Sequence, residues 1–289
     1  MSIFQALGEL KQVELEQGTV RYRERAGSGP TLLFVHGVFV NGDLWRRVVP
    51  ALGSDARCIV PDLPLGAHRP ALRPDADLTP PGVARLLADF MAALDLSEVT
   101  LVGNDTGGAL CQVVVANHPE RIERLVLTNC DAFEDFLPKV GRPIQWAARV
   151  PGTVRALAAL LKAGPIRRAF LATVARHEPE PEVLASFFDP VIEDAAVRRD
   201  LTKFLRGISN RHTLEAARSF PAFRRPVLVV WGQNDRFFPR SLAGRLVAAF
   251  PDARLEHVSG SRAFVPGDRP EALARLVTDF VARPMTAAA

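Results

Sequence analysis

The segment VTLVGNDTGGALCQ, from Val99 to Gln112, concentrates the features from which chemistry could be built. An apolar run ends at Gly103, Asp105 follows, and a second glycine stands at Gly107 before a helical pattern begins. This spacing matches a strand-turn-helix elbow, in which glycines permit close backbone packing and the central side chain is presented at the sheet edge. Serine is the usual residue at such a bend, and here it is Asp105. A carboxylate with an ordinary pKa of ~3.9 is ionised at neutral pH, so it can attack an electrophilic carbon without a base. The same group could instead accept a proton if burial raised its pKa. It could also merely cap the helix that starts near Thr106. A cap does not require the flanking glycines, which weighs toward chemistry.

Such an elbow must be held by a sheet, and apolar runs of strand length recur along the chain. They are VELEQGTVRYRER from Val13, TLLFV from Thr31, RCIV from Arg57, VTLV from Val99, RLVLT from Arg124, PVLVVW from Pro226 and ARLEHV from Ala253. The inner runs are nearly continuous in apolar character, the mark of strands buried on both faces and hence of a largely parallel sheet. Helical patterns lie between them at Pro81 to Leu94, Gly107 to Asn117, Ser241 to Phe250 and Pro270 to Val281. The alternation assigns an α/β class. Between Asp131 and about Phe220 the rhythm changes to helical stretches rich in Ala, Arg and Leu, punctuated by Pro151, Pro165, Pro179, Pro181 and Pro190. This reads as a helical lid, residues 132–220, inserted into a core made of residues 1–131 and 221–289. A lid above the carboxyl ends of the strands should shape a pocket. Trp146 is its best aromatic candidate, with His36 and His68 in the loops beneath.

On the elbow, on His36 and Gly37 after TLLFV, on PDLPLGAHRP from Pro61 and on VLVVWGQNDRFFP from Val227, the chain resembles the α/β-hydrolase superfamily. Within it, the aspartate at the elbow is similar to the haloalkane dehalogenases and epoxide hydrolases. The resemblance implies Asp105 as nucleophile, an oxyanion hole from the backbone N–H groups of Val38 and Thr106, and Asp235 as the orienting acid. Asp131 stands at a second acid position used by some dehalogenases. The expected fold is a mostly parallel sheet flanked by helices, and the expected activity is hydrolysis of a small apolar halide, epoxide or ester without a cofactor. The family's histidine, which activates water against the ester intermediate, is missing: SGSRAFVPGDRPE from Ser259 puts Ala263 in its place. His257 lies six residues earlier within a strand, and His68 is the more interesting stand-in. A base from elsewhere, a reaction that needs none, or an alanine introduced for histidine would each account for the gap. Thr106 and Val38 also replace the Trp and polar residue with which dehalogenases cradle halide, and the only tyrosine is Tyr22, so no lid tyrosine can serve an epoxide. A non-hydrolytic enzyme using Asp105 as base and a ligand-binding relative without catalysis therefore stay open.

Composition bounds the partners. With 48% hydrophobic and 24% charged residues the chain suits a globular fold. The net charge of +4 is scattered, so nucleic acid is not expected despite a pI of 9.3. The basic stretch from Arg142 to Arg168 reads as the solvated face of lid helices and not as a membrane surface. No apolar run approaches the ~18 residues of a membrane helix, and the amino terminus lacks a leader pattern. Cys58, Cys111 and Cys130 have no metal-type spacing and read as reduced core residues, so neither a metal nor a cofactor is expected. A cytoplasmic monomer or homodimer acting on a small molecule follows as the expectation.

Overall fold

A computed structural model describes residues 5–138 and 141–284. The run read as one strand from Val13 divides at a glycine of positive φ, Gly18 (φ +125), into two antiparallel strands, β1 (Glu9–Leu15) and β2 (Gly18–Arg25). The remaining runs form β3 (Thr31–Val35), β4 (Arg57–Pro61), β5 (Val99–Asp105), β6 (Ile122–Cys130), β7 (Val227–Gly232) and β8 (Ala253–Val258). Their order in the single sheet is β1-β2-β4-β3-β5-β6-β7-β8. β2 meets β4 antiparallel, and every pairing from β4 to β8 is parallel. The chain builds outward from β3 to β4 and then returns to the other side of β3 with β5. That reversal opens a crevice beyond the carboxyl ends of β3 and β5, where α/β sheets bind ligands.

The core helices are α1 (Val48–Ala51), α2 (Pro80–Ala93) and α3 (Thr106–Asn117). Thr79 caps α2 by accepting from the Gly82 N–H, and Pro80, which needs no partner for a missing donor, occupies its first turn. Every residue of β5 is buried, and α3, packed between the sheet, α2 and a later helix, buries ten of its twelve residues. Each large apolar side chain so enclosed, such as Leu110 or Val113, contributes roughly 1.5–3 kcal/mol. The element that presents Asp105 is thus among the least deformable in the molecule.

The insertion comprises α4 (Arg142–Ala147), α5 (Thr153–Leu160), α6 (Gly164–Ala172), α7 (Pro181–Glu193), α8 (Ala195–Gly207) and α9 (Asn210–Ser219). Two expectations change here. Pro190 does not interrupt the lid but lies inside α7; the Ser186 carbonyl, which a residue-190 N–H would have served, accepts from Asn41 Nδ2 at 3.1 Å instead. And α9, although within the inserted segment, packs against α3 of the core, so the cover over the crevice is α4 to α8. The chain then completes the core with α10 (Arg240–Ala249), α11 (Val265–Asp268) and α12 (Pro270–Val281). Among the described residues no helix is long and apolar enough to cross a membrane, and the three cysteines are free and buried.

The inserted helices are tied to the core loop before α2 by a buried carboxylate. Asp200 on α8 accepts from the Leu72 N–H at 2.8 Å and lies 3.2 Å from His68 Nε2, with both side chains enclosed. Burial works against its charge, but His68, Arg199 and the Leu72 N–H together hold its pKa below the ordinary value. Because its removal leaves the His68 imidazole and the Leu72 N–H buried without this acceptor, Asp200→Ala should cost about 3 kcal/mol. Thermal unfolding should accordingly shift down by several degrees; an unchanged midpoint would show that the lid does not depend on this anchor.

Candidate active site

Asp105 ends β5 with φ +56 and ψ −132, a conformation that non-glycine residues adopt at a cost of about 1–3 kcal/mol. Its neighbours explain how the strain is held. A Cβ on Gly107 would lie 2.4 Å from the carbonyl oxygens of Val35 and His36, and one on Gly108 would lie 2.3 Å from Cys130 Cβ. On the facing loop, a Cβ on Gly37 would approach Asp105 Oδ2 to 2.1 Å. Only bare backbone lets β3, β5, β6 and α3 converge so closely. The side chain makes no capping bond to α3, so helix capping does not account for it. The backbone N–H groups of Thr106 and Val38 face its carboxylate and favour the charged form.

Electrostatics at the bend are unfavourable to charge. Burial, reinforced by the charge of Asp235, pushes the Asp105 pKa up to about 7, against the pull of the Thr106 and Val38 N–H groups. Asp131 is also fully buried, and desolvation together with the Asp105 charge raises its pKa well above the usual range. Thr106 links the two acids: its N–H faces Asp105 while its Oγ1 donates to Asp131 Oδ2 at 3.3 Å. Asp131 Oδ1 has no hydrogen-bond partner. Asp235 is better satisfied, accepting from Asn129 Nδ2 at 2.6 Å and from the Phe237 N–H at 2.7 Å, though burial still raises it. Asn129 Oδ1 in turn accepts from the Gly232 N–H, so one amide clasps the ends of β6 and β7 together.

Asp105 opens on a cavity of about 200 Å³ with almost wholly apolar walls. The loop after β3 supplies Val38, Phe39 and Val40; the inserted segment supplies Ile144, Phe170, Leu171, Thr173 and Leu205 among others; Phe237 and Phe264 come from the core. Among the described residues no imidazole lines it. His36 is fully buried behind the loop, with Nδ1 donating to the Gly37 carbonyl at 2.8 Å and Nε2 accepting from the Leu63 N–H at 2.9 Å. Burial lowers its pKa to about 4, so it is a neutral brace for the oxyanion loop and not the pocket residue expected. His68 likewise faces Asp200 beneath the lid, and His257 is exposed on β8. Trp146, the expected pocket aromatic, points outward and is 61% exposed, because the cavity face of α4 belongs to Ile144. Ala263 is fully buried, its carbonyl accepting from Asn104 Nδ2 at 2.9 Å, and the next residue, Phe264, forms cavity wall. Neither Asp131 nor Asp235 has an imidazole to orient among the described residues. No group of three His, Cys, Asp or Glu side chains there could hold a metal ion.

Asn104, Asn129 and the apolar lid residues were not singled out by the sequence. The asparagines carry a weak signal, as polar residues inside apolar strands; the lid residues carry none that separates pocket wall from core. The raised pKa of Asp105 implies a measurable penalty. Below about pH 4 both folded and unfolded chains hold the proton; between there and pH 7 the unfolded chain releases it first, so stability falls as pH rises. Asp105→Asn should therefore raise the unfolding free energy by on the order of 3 kcal/mol at pH 8, and the gain should vanish near pH 4 in denaturant titrations. A gain independent of pH would contradict the assignment.

With this geometry in place, known proteins can be set beside it. Residues 30–270 match the family described as alpha/beta hydrolase fold. Haloalkane dehalogenase 2 of Mycobacterium tuberculosis is 27% identical over 281 residues, covering 94% of each chain. A haloalkane dehalogenase of Mesorhizobium japonicum is 34% identical over 146 residues, 49% of this chain and 47% of that one. Among solved structures, haloalkane dehalogenase DbeA from Bradyrhizobium elkani USDA94 superposes with a TM-score of 0.79 over 95% of this chain and 97% of its own, at 21% identity, a likeness of fold. The family match covers most of the sheet, the elbow and the lid, and the chain belongs to the alpha/beta hydrolase fold family.

Proposed function

We propose that this chain is a hydrolase-fold enzyme in which Asp105 attacks a carbon of a small apolar electrophile, a halide, epoxide or activated ester. The observation that carries the reading is a carboxylate at a strained bend, faced by the Val38 and Thr106 N–H groups and opening on an apolar cavity. The names of the relatives support the same reaction class. With a halide, one Asp105 oxygen bonds to the substrate carbon as halide leaves with the bonding electrons, giving an ester on Asp105. With an epoxide the ring C–O bond breaks instead and the alkoxide stays attached, taking a proton from water; with an activated ester the alcohol departs as alkoxide and the product is a mixed anhydride. The other oxygen stays with the two N–H donors, which also stabilise the oxyanion formed when water adds to the ester carbon. Burial and the nearby Asp105 charge favour the neutral form of Asp131, which disfavours a second negative charge in the site.

Two consequences separate this site from a fully equipped hydrolase. Among the described residues the only side-chain hydroxyl in the cavity wall, that of Thr173, already donates to the Phe170 carbonyl at 2.7 Å, so weakly basic leaving groups such as bromide or iodide should react faster than chloride. And with alanine at 263, water lacks a positioned base, which slows release of the ester by ~10²- to 10⁴-fold. Incubation with short bromoalkanes and epoxides should give a long-lived mass increase on Asp105. Its rate should rise with pH through about 7 as the carboxyl ionises, then level off. No adduct from any such compound would refute the nucleophilic role. Ala263→His should convert the trapped ester to turnover, at a packing cost of about 1–3 kcal/mol for the larger side chain. If the adduct persists unchanged, position 263 does not address the ester.

One observation favours a second reading. A carboxyl raised to about 7 is matched to proton transfer at neutral pH, so Asp105 could serve as base in an isomerase or lyase reaction. Exchange of substrate carbon-bound hydrogen with deuterated water, without any adduct, would select it.

A further inference from the structure

Among the described residues, five large apolar side chains are exposed, and four of them lie in one stretch of the lid: Trp146, Val150, Leu160 and Ile166. Their exposures run from 39% for Ile166 to 61% for Trp146, far from the buried state such side chains favour. The same stretch is cationic. From residue 136 to residue 177 the sequence has eight Lys and Arg and no Asp or Glu, against a net +4 for the whole chain, so the rest of the molecule is net acidic. Arg167 and Arg168 reach across to Asp189 and Glu178, but Arg142, Arg149, Arg155 and Lys162 have no acidic partner among the described residues. The helices are two-sided: Ile144 on α4 and Phe170 and Leu171 on α6 line the cavity of Asp105, while Trp146 and Ile166 on the same helices face out.

We infer that this face of the lid docks on an anionic lipid surface. The apolar side chains would enter the boundary between headgroups and acyl chains, and the arginines and lysine would lie against the phosphates. Three occupants compete for such a face, and the side chains discriminate among them. A nucleic acid would satisfy the cations but leave Val150, Leu160 and Ile166 against phosphate and water. A second copy in a two-fold dimer would set this cationic patch on itself. An anionic lipid surface alone matches charge and apolar content together. This differs from the solvated face expected of the basic stretch, because the sequence shows the alternation of Arg with Ala and Leu but not that the large apolar residues are the ones turned outward. Docking does not depend on the reaction assigned to Asp105; only the corollary does, that apolar substrates would pass from the lipid through the lid into the cavity.

The test uses the full chain and vesicles of equal parts phosphatidylcholine and phosphatidylglycerol, with pure phosphatidylcholine as comparison. Cosedimentation should be at least ~10-fold tighter on the anionic vesicles and should fall steeply as salt shrinks the Debye length from about 30 Å toward 8 Å. Trp146 reports contact directly, since Trp45 and Trp231 are fully buried: brominated anionic lipids should quench its fluorescence. Arg155→Glu with Lys162→Glu, and separately Trp146→Ser with Leu160→Ser, should each weaken binding by about 10-fold or more, with circular dichroism and unfolding midpoints unchanged. Asp105→Asn should bind vesicles like the parent protein, so failure of the reaction and failure of docking read out separately. Equal partition onto neutral vesicles, no binding at low salt, stronger binding to duplex DNA than to vesicles, or a dimer in sedimentation velocity dissolved by the serine pair would each overturn the inference.

Discussion

The structure depends on one close approach: three segments of backbone converge around the Asp105 bend with no side chain between them. A Cβ would collide with Asp105 at Gly37, with the Val35 and His36 carbonyls at Gly107, and with the Cys130 side chain at Gly108. That convergence keeps a non-glycine residue at φ +56 and directs its carboxylate toward Val38 and Thr106. The sheet order, with its reversal between β3 and β5, puts the two N–H donors on neighbouring strand ends.

Burial at this bend acts on pH in two directions. Asp105 and Asp131 resist ionisation, so their enclosure is best tolerated in acid. His36, lowered to about 4, resists protonation, so bracing the oxyanion loop is best tolerated above its ordinary value near 6.5. No pH leaves both at ease: between about 4 and 6.5 the burial of each group works against folding.

Most of the fold was legible because its signals are local. Continuous apolar runs such as TLLFV and ARLEHV became strands with the same bounds, and Pro270 began a helix where its fixed φ is favourable. The hairpin of β1 and β2 was read as one run because its turn, at Gly18, lacks the usual paired turn residues. The elbow was legible for the same reason as the strands: glycine spacing is written in the sequence. What was not legible depends on direction. Trp146 and Ile144 stand two residues apart on one helix, and only packing decides which faces the cavity. His36 and His68 are conspicuous by type, yet their partners, Leu63 and Asp200, lie 27 and 132 residues away. Asn129 escaped notice because its role, joining Asp235 to Gly232, exists only once β6 and β7 are side by side.

The anchoring of the lid is uneven, and this bears on how a molecule could enter. α7 and α8 are fastened to the core by Arg46 with Glu180, Asn41 with the Ser186 carbonyl, and Asp200 with His68 and Leu72. Lys203 adds bonds to the Pro74 and Ala76 carbonyls. α4 and α5 rest instead on α7 and α8, with Arg206 and Gln145 as their polar ties. The roof thus has a riveted half and a half hung from it. Opening the roof over the hung half would break few polar ties, whereas opening the riveted half would break all of those to Arg46, Asn41, His68 and Leu72.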